Sequence, residues 1–315
     1  MVKTLILTEG GRNIGFGHIT RCIALSQGFA EKNIDTEFIV NGDDTILNLL
    51  KGKKYQILNW LSGKSKLLEL IKKADFIIID SYLADQFFYK KISELFEGRI
   101  VMLDDYQRIR YPKGIVVSSS IYADKLKYLH RKGTTHLLGE DYIILRKPFW
   151  KVPKKLLNRK VKNIMVVLSG MGYKELVEEI VLYLRQRVDK DIKFNILLPE
   201  REYLSANKMK RLMMSADICI SGGGQITYEL ARCGIPTIGI CFAKNQLLNL
   251  EYWSKEGFLN FVGWWNDANL YERIKKAMTG MSYRKRLQMN KIGRKFVDGQ
   301  GVRRLVKKIL NFIKK

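Results

Sequence analysis

The sequence lacks long apolar runs: none of its hydrophobic stretches approaches the roughly 18 residues that a membrane-spanning helix needs. Its first residues, MVKTLILTEGG, reach Glu9 too early for the apolar core of a signal peptide, so we expect them to form the first strand. Cysteine is also scarce, and none of the four cysteines belongs to a CxxC pair. We expect reduced thiols in the core of a cytoplasmic protein.

Acidic residues are few relative to basic ones. The chain has 31 Asp and Glu against 56 Lys and Arg, a net charge of +25. Such a charge favours anionic partners, namely nucleotides, nucleic acid or acidic lipid head groups. The basic residues are spread along the chain without an RNA- or DNA-binding motif, so we expect no specific nucleic-acid partner. A lysine-rich proteome accounts for the charge equally well.

The end of the chain is more densely basic. From Arg284 onward there are twelve Lys and Arg residues and one acid, Asp298. Ile309, Phe312 and Ile313 fall on one helical face among these lysines. The pattern predicts a terminal helix docked on the rest of the protein, and a weak peripheral membrane contact is the alternative.

The 315 residues, 46% hydrophobic and 28% charged, are enough for two cores. Segments with the pattern of strands alternate with helical segments, which predicts parallel sheets and Rossmann-like domains. A Lys-rich stretch around Pro153 is interpreted as a linker. The predicted organisation is an N-terminal domain at 1–150, a linker at 151–162, a C-terminal domain at 163–300 and a basic helix at 301–315.

Three consecutive glycines, Gly222, Gly223 and Gly224, lie between a short apolar strand and a helical segment. Glycine lets the backbone turn sharply and approach a ligand closely, and the N-terminus of the following helix favours an anion. The stretch therefore indicates a site for a phosphate or diphosphate. Glu229, about one helical turn into the segment, can accept from ribose hydroxyls. The alternative is an ordinary strand–helix turn in which the glycines only permit tight packing.

His18 is one of only three histidines, and it lies where a second glycine-rich loop meets a helical segment. Ligands of open α/β sheets bind at this edge, and imidazole titrates near neutral pH, so His18 is a candidate general base. The alternative is a histidine that merely starts a helix. Asp80 and Asp105 follow two other predicted strands, and each could contact a ligand or only cap a loop.

Several short motifs occur in one order from Leu5 to about Gly301. They are Gly15-Phe16-Gly17-His18-Ile19-Thr20-Arg21, which matches a GxGHxxR signature, Asp80-Ser81-Tyr82, Asp104-Asp105, Gly139 to Phe149 (GEDYIILRKPF), the glycines with Glu229, Gly234-Ile235-Pro236 and Asn245-Gln246. Together they resemble the spore-coat-polysaccharide and pseudaminic-acid-pathway family, whose best-understood type is the UDP-2,4-diacetamido-2,4,6-trideoxy-β-L-altropyranose hydrolase. That family is itself similar to the lipid-linked peptidoglycan N-acetylglucosaminyltransferase.

The resemblance implies an α/β protein with the glycosyltransferase-B fold, in which two Rossmann-like domains face each other across an active-site cleft. It implies that His18 activates water against the sugar, that UDP leaves, and that neither a metal nor another cofactor is needed. The implied substrate-binding residues are Gly17, Arg21, Tyr82, Asp105, Asn245 and Gln246, and the implied nucleotide-binding residues are Gly170, Gly222, Gly223, Gly224, Gln225, Thr227 and Glu229.

The sequence departs from the family pattern in two places. Relatives carry Gly-Gly-Ser-Asp where this chain has Ser169-Gly170-Met171-Gly172, and Gly-Gly-Ser-Thr where Gln225 and Ile226 stand here, with Thr227 one residue later. These departures bear on the identity of the sugar more than on the fold. Three functions therefore stay open: a UDP-sugar hydrolase, a glycosyltransferase in which an acceptor hydroxyl replaces water, and a non-enzymatic nucleotide or polyanion binder.

Overall fold

The computed structural model describes residues 3–62, 64–168, 173–198 and 204–313. The chain forms two compact units: the first combines Met1–Lys147 with Gln300–Lys315, and the second is Pro148–Gly299. Each is a parallel sheet with helices, as the alternating pattern predicts. Among the helices in these ranges, none is both long enough and apolar enough to cross a bilayer.

The first unit is built on a seven-stranded parallel sheet. Its strands are β1 (Lys3–Gly10), β2 (Asp35–Gly42), β3 (Lys54–Ile57), β4 (Phe76–Asp80), β5 (Ile100–Leu103), β6 (Gly114–Ser118) and β7 (Thr134–Leu138), and its helices are α1 (Gly17–Ala30), α2 (Leu47–Leu50), α3 (Lys64–Ile71) and α4 (Gln86–Leu95). The strand order is β3-β2-β1-β4-β5-β6-β7. The chain therefore reverses direction across the sheet between β1 and β4, and such a switch point is where ligands of doubly wound sheets bind.

The second unit has a five-stranded parallel sheet. Its strands are β8 (Asn163–Val167), β9 (Lys193–Leu197), β10 (Ile218–Gly222), β11 (Thr237–Cys241) and β12 (Leu259–Trp264), and its helices are α5 (Lys174–Arg185), α6 (Ala206–Ser215), α7 (Ile226–Cys233), α8 (Lys244–Lys255), α9 (Leu270–Thr279) and α10 (Tyr283–Phe296). The order is β12-β11-β10-β8-β9, which puts the switch point between β8 and β10. The glycine loop follows β10 and so opens at this switch point.

Two edge strands are not evident from the sequence pattern. The segments that become β3 (KYQI) and β7 (TTHLL) carry no clear alternation, and most of their residues are not fully buried. They form strands because they pair with a neighbour, β3 with β2 and β7 with β6. In contrast, all five residues of β4 (FIIID) are buried, so its apolar run alone identifies it.

The residues interpreted as a linker, 151–162, lie in the second unit and are anchored there. Asn158 donates its side-chain amide to Asp217 (2.9 Å), and Arg286 donates to the backbone carbonyls of Asn158 and Arg159 (2.9 and 2.6 Å). Asp217 also accepts from the backbone N–H of Lys162. A segment rich in lysine can thus be ordered by backbone contacts that its composition does not reveal.

The terminal helix α11 (Gly301–Ile313) packs on α1 of the first unit. A Cβ atom at Gly28 would lie 2.5 Å from a Val302 methyl group, so glycine is needed for the two helices to approach this closely. At the rim of this contact, Arg303 donates two hydrogen bonds to Glu31 (2.9 and 3.1 Å). The apolar side of the basic tail is therefore used inside the protein.

Candidate active site

The loop between β1 and α1 is shaped by glycines. Gly11 and Gly15 bond to each other through both backbone N–H groups (3.1 and 2.8 Å), and their φ angles are +147° and +85°. Only glycine adopts such angles without strain. The loop leads to Gly17, the exposed first residue of α1, where an added Cβ would have no atom within 4 Å. Free space therefore lies directly before His18.

His18 is buried at the first turn of α1 and makes a dyad with Asp80 at the end of β4. The distance from His18 Nδ1 to Asp80 Oδ1 is 2.6 Å. A carboxylate at hydrogen-bond distance holds the proton on Nδ1, so Nε2 is the nitrogen with a free lone pair. The ring of Tyr82 meets the imidazole edge-on, with centroids 4.4 Å apart, and fixes its plane. An imidazole held in this way is able to accept a proton at Nε2.

Arg21, one helical turn after His18, ties two carboxylates together. It donates to both oxygens of Asp80 (2.5 Å each) and to Asp105 (2.6 Å). Burial alone would raise the pKa of Asp80, but the charges of Arg21 and His18 outweigh it and hold that pKa well below its ordinary value. Asp80 therefore stays ionised throughout the neutral range.

Tyr82 completes the network by donating its hydroxyl proton to Asp105. Burial and the neighbouring Asp105 charge raise the pKa of Tyr82 far above its ordinary value, so the phenol remains a donor. The predicted residues His18, Arg21, Tyr82 and Asp105 are thus brought together by the fold. The preceding residue, Asp104, has a different surrounding.

Asp104 serves the loop after β5. It accepts from the hydroxyls of Tyr111 (3.0 Å) and Tyr128 and from the backbone N–H of Gln107 (2.6 Å). Asp105, for which the sequence left open a ligand contact or a loop cap, instead accepts from Arg21 and Tyr82 in the network around His18, whereas Asp104 holds a loop.

Glu9 is a member of this site that the sequence reasoning did not select. It is fully buried at the end of β1 and accepts from the Ser81 hydroxyl and from the backbone N–H of Tyr82 (2.6 Å). Its Oε1 lies 3.9 Å from His18 Nε2. In the sequence, an acidic residue directly before a glycine-rich loop, at the end of the first strand, was the signal that could have identified Glu9.

In the second unit, the glycine loop is held by α8. Gln246 Oε1 accepts from the backbone N–H groups of Gly223 (3.1 Å) and Phe242 (3.2 Å). A Cβ atom at Gly223 would lie 2.6 Å from Leu250, so this glycine is required for close packing of the loop against α8. The packing role considered for the glycines thus applies at position 223, whose N–H is engaged with Gln246.

Asn249 is a second support of this loop that the motifs did not reveal. It donates to the carbonyl of Gly223 (2.8 Å) and to the Thr227 hydroxyl (2.9 Å), and it accepts from the Tyr228 hydroxyl (2.7 Å). Thr227 in turn donates to the carbonyl of Gly224 (2.9 Å). Its hydroxyl is therefore directed into the unit, where it shapes the turn.

The accessible part of the loop is the start of α7. Gly224, Gln225 and Ile226 are partly exposed, whereas Gly222 and Glu229 are buried. Asn245 is exposed on the first turn of α8. Gly170, the remaining predicted nucleotide contact, lies outside the described residues. A diphosphate is accordingly expected at the N-terminal turn of α7, where the helix dipole favours negative charge.

The acidic and imidazole groups do not form a metal centre within the described ranges, since no group of three or more His, Cys, Asp or Glu side chains there could hold an ion. All four cysteines are buried and free. Burial raises the pKa of Cys219 and that of Cys233, to about 12 for the latter, so these thiols are inert packing residues.

Sequence comparison finds relatives of three kinds, while no family model matches the chain. The chain is 26% identical over 330 aligned positions to the spore coat polysaccharide biosynthesis protein SpsG of Bacillus subtilis, with 95% of each chain covered. It is 23% identical to a pseudaminic acid cytidylyltransferase and UDP-2,4-diacetamido-2,4,6-trideoxy-β-L-altropyranose hydrolase of Helicobacter pylori, with 77% of this chain and 45% of that protein covered. An uncharacterised protein of Methanocaldococcus jannaschii is 24% identical. The chain spans about half the length of these last two relatives.

Solved structures share the fold at low identity. Acinetobacter baumannii MurG superposes with a TM-score of 0.68 at 13% identity, covering 98% of this chain and 99% of MurG. MnaA of Staphylococcus aureus, solved with UDP, gives 0.67 at 14% identity and covers 100% of this chain and 98% of its own. These likenesses establish the architecture of both units. The chain therefore has the glycosyltransferase-B fold, and its resemblance to the spore-coat-polysaccharide and pseudaminic-acid-pathway proteins is confirmed.

Proposed function

We propose that the chain is a nucleotide-sugar enzyme that hydrolyses a UDP-linked deoxyamino sugar to the free sugar and UDP, in the biosynthesis of a surface polysaccharide or of a nonulosonic acid of the pseudaminic type. The observation that carries the proposal is the buried His18–Asp80 dyad, 2.6 Å long, at the switch point of the first sheet. The hydrolase name of one relative supplies the substrate class, and the SpsG name supplies the link to polysaccharide biosynthesis.

In the proposed reaction, His18 Nε2 removes a proton from water as the water oxygen attacks the anomeric carbon. The bond between that carbon and the diphosphate oxygen breaks, its electron pair leaves with UDP, and the anomeric centre inverts. Asp80 keeps the acceptor nitrogen aligned and stabilises the imidazolium that forms. The Arg21 bridge to Asp80 and Asp105 fixes the carboxylates, so little reorganisation accompanies the proton transfer.

The second unit is proposed to bind the nucleotide. UDP gains negative charge as it leaves, and the N-terminal turn of α7 stabilises this charge through oriented backbone dipoles. Gln246 and Asn249 of α8 hold the loop through hydrogen bonds, and Glu229, although only 2% exposed, is proposed to accept from the ribose hydroxyls. In the first unit, Tyr82 and Gly17 are proposed to contact the sugar; in the second, Asn245 is a proposed substrate contact.

The test is release of UDP from UDP-2,4-diacetamido-2,4,6-trideoxy-β-L-altropyranose by the purified protein, with EDTA present and no acceptor. His18→Gln is expected to lower the rate by about 10²- to 10⁴-fold, the usual contribution of a general base. Binding of UDP, followed by calorimetry, is expected to stay the same. His130→Gln, an exposed histidine of the same unit, is the matched control and should keep full activity. Retained activity in His18→Gln would contradict the proposal.

The second candidate is an inverting glycosyltransferase that uses the same base, and the glycosyltransferase-B fold favours it. It predicts no UDP release without an acceptor while UDP still binds. A polyanion binder would behave differently from both, since its affinity for RNA would fall steeply with salt and UDP would not bind.

A further inference from the structure

Glu9 is unusual because it is a fully buried acid without a lysine or arginine partner in the described part of the chain. Within 4 Å of its carboxylate, the only basic group among the described residues is His18 Nε2, at 3.9 Å. The nearby guanidinium of Arg21 is engaged with Asp80 and Asp105. A buried carboxylate without a cation is costly, so the pairing of Glu9 depends on the charge state of His18.

The carboxylate of Glu9 is surrounded by hydrogen-bond donors. The Ser81 hydroxyl oxygen accepts from the backbone N–H groups of Leu83 (3.0 Å) and Ala84 (2.9 Å), so its proton is free to point at Glu9 Oε2. The backbone N–H of Tyr82 points at Oε1. Both oxygens of Glu9 therefore accept a hydrogen bond, an arrangement that suits a carboxylate.

His18 consequently lies between two buried carboxylates, Asp80 on the side of Nδ1 and Glu9 on the side of Nε2, and its distances to them differ. Nδ1 hydrogen bonds to Asp80, whereas the 3.9 Å gap to Glu9 is too long for a hydrogen bond. Nε2 therefore keeps its lone pair for the proton of the nucleophile, and yet it feels the Glu9 charge. The other groups facing the imidazole are Arg21, whose Nη2 lies 3.2 Å from Nδ1 and which is ion-paired with two aspartates, and the uncharged phenol of Tyr82.

We propose that Glu9 is a positioning residue that stabilises the protonated form of His18 and so makes it a stronger base. The inference rests on the proposed role of His18. When water loses its proton to Nε2, an N–H bond forms, the water oxygen bonds to the anomeric carbon, and the electron pair of the broken C–O bond leaves on the diphosphate. The resulting imidazolium then has a carboxylate on each side.

The decisive experiment is a pH titration of the histidine ring resonances in the substrate-free protein. Three histidines give few signals, and His18→Gln identifies the relevant one. Glu9→Gln is expected to move the titration midpoint of His18 to lower pH by about one unit, because an opposite charge at this distance favours the charged form. Glu9→Asp, which keeps the charge, should remain closer to the unmodified protein. An unchanged midpoint in folded Glu9→Gln would overturn the proposal.

Ser81→Ala is the matched control, because it removes a hydrogen bond from Glu9 but not the charge. It should not lower the midpoint; a decrease equal to that of Glu9→Gln would mean that only the turn at 81–84 matters, and the proposal would be wrong. If Glu9→Gln does not fold, the side-chain carboxyl resonance of Glu9 in the unmodified protein decides. It should show a step at the His18 midpoint that disappears in His18→Gln, and the absence of that step would overturn the proposal.

The activity measurement separates this inference from the proposed function. In Glu9→Gln, the acid limb of UDP release should shift to lower pH, and the plateau rate should fall by up to about tenfold, because the rate follows the strength of the base with a Brønsted coefficient below one. If the titration midpoint shifts but the protein releases no UDP from the test substrate, the pairing of Glu9 with His18 is supported and the hydrolase function is rejected.

Discussion

At the scale of single residues, Asp80 accepts hydrogen bonds from both His18 and Arg21 while fully buried. Removing one member of a buried ion pair leaves the other charge uncompensated, which typically costs about 3 to 5 kcal/mol. Asp80→Asn is therefore expected to lower the free energy of unfolding by that amount at pH 7, measured by urea denaturation. Asp35→Asn, which breaks the exposed pair with Lys54, should cause no measurable change.

The loss of stability caused by Asp80→Asn should depend on pH in a definite direction. Because the pKa of Asp80 is lowered in the folded protein, its contribution is fully present above the unfolded-state pKa of about 4 and is lost as pH falls below it. The difference in stability between Asp80→Asn and the unmodified protein should accordingly shrink between about pH 5 and strongly acidic conditions. A difference that stays constant down to about pH 2 would exclude this linkage.

The residues of the site were only partly predictable. His18 is visible in the sequence because histidine is rare here and stands after a glycine loop, and Arg21 follows at one helical turn. The partnership of Asp80 with both depends on β4 lying beside β1, although 62 residues separate Asp80 from His18. Glu9 has a weak sequence signal, its position before a glycine-rich loop, but its significance comes from surroundings in which the described residues supply no permanent cation, and no sequence pattern displays that.

At the scale of elements, the loop between β10 and α7 depends on a side chain from α8. Gln246→Glu preserves an oxygen acceptor for the N–H groups of Gly223 and Phe242 but adds a negative charge near the expected diphosphate. We expect the affinity for UDP to fall about tenfold or more through charge repulsion, with little change in melting temperature. Calorimetry with uridine, which has no phosphate, is the control and should show unchanged affinity. An equal loss for uridine would place the diphosphate elsewhere.

Elements were predictable where burial and period agree. The buried run of β4 and the strand, glycine and helix succession from β10 to α7 follow directly from the sequence. The edge strands β3 and β7 do not, because backbone pairing, not side-chain pattern, makes them strands. The confirmed fold class thus rests on the central strands, whereas the full strand count needed the structure.

At the scale of the whole molecule, the two units should respond separately to damage. A valine at Gly28 would collide with Val302 and Val306 of α11, with an overpacking cost of about 1 to 3 kcal/mol. Differential scanning calorimetry of Gly28→Val should show a lower transition for the first unit, while the transition that UDP raises stays in place. Gly17→Ala on the same helix, where an added Cβ meets no atom within 4 Å, should shift neither. Equal displacement of both transitions would show that the units unfold as one.

The return of α11 to the first unit also determines the order in which the protein can be completed during synthesis. During synthesis, residues up to Lys147 leave the ribosome first, the whole of Pro148–Gly299 follows, and the helix that covers α1 leaves last. The second unit can thus finish folding while the first still exposes the α1 surface around Gly28. For that interval the surface around Gly28 is without the thirteen residues of α11, whose Val302 and Val306 pack against it.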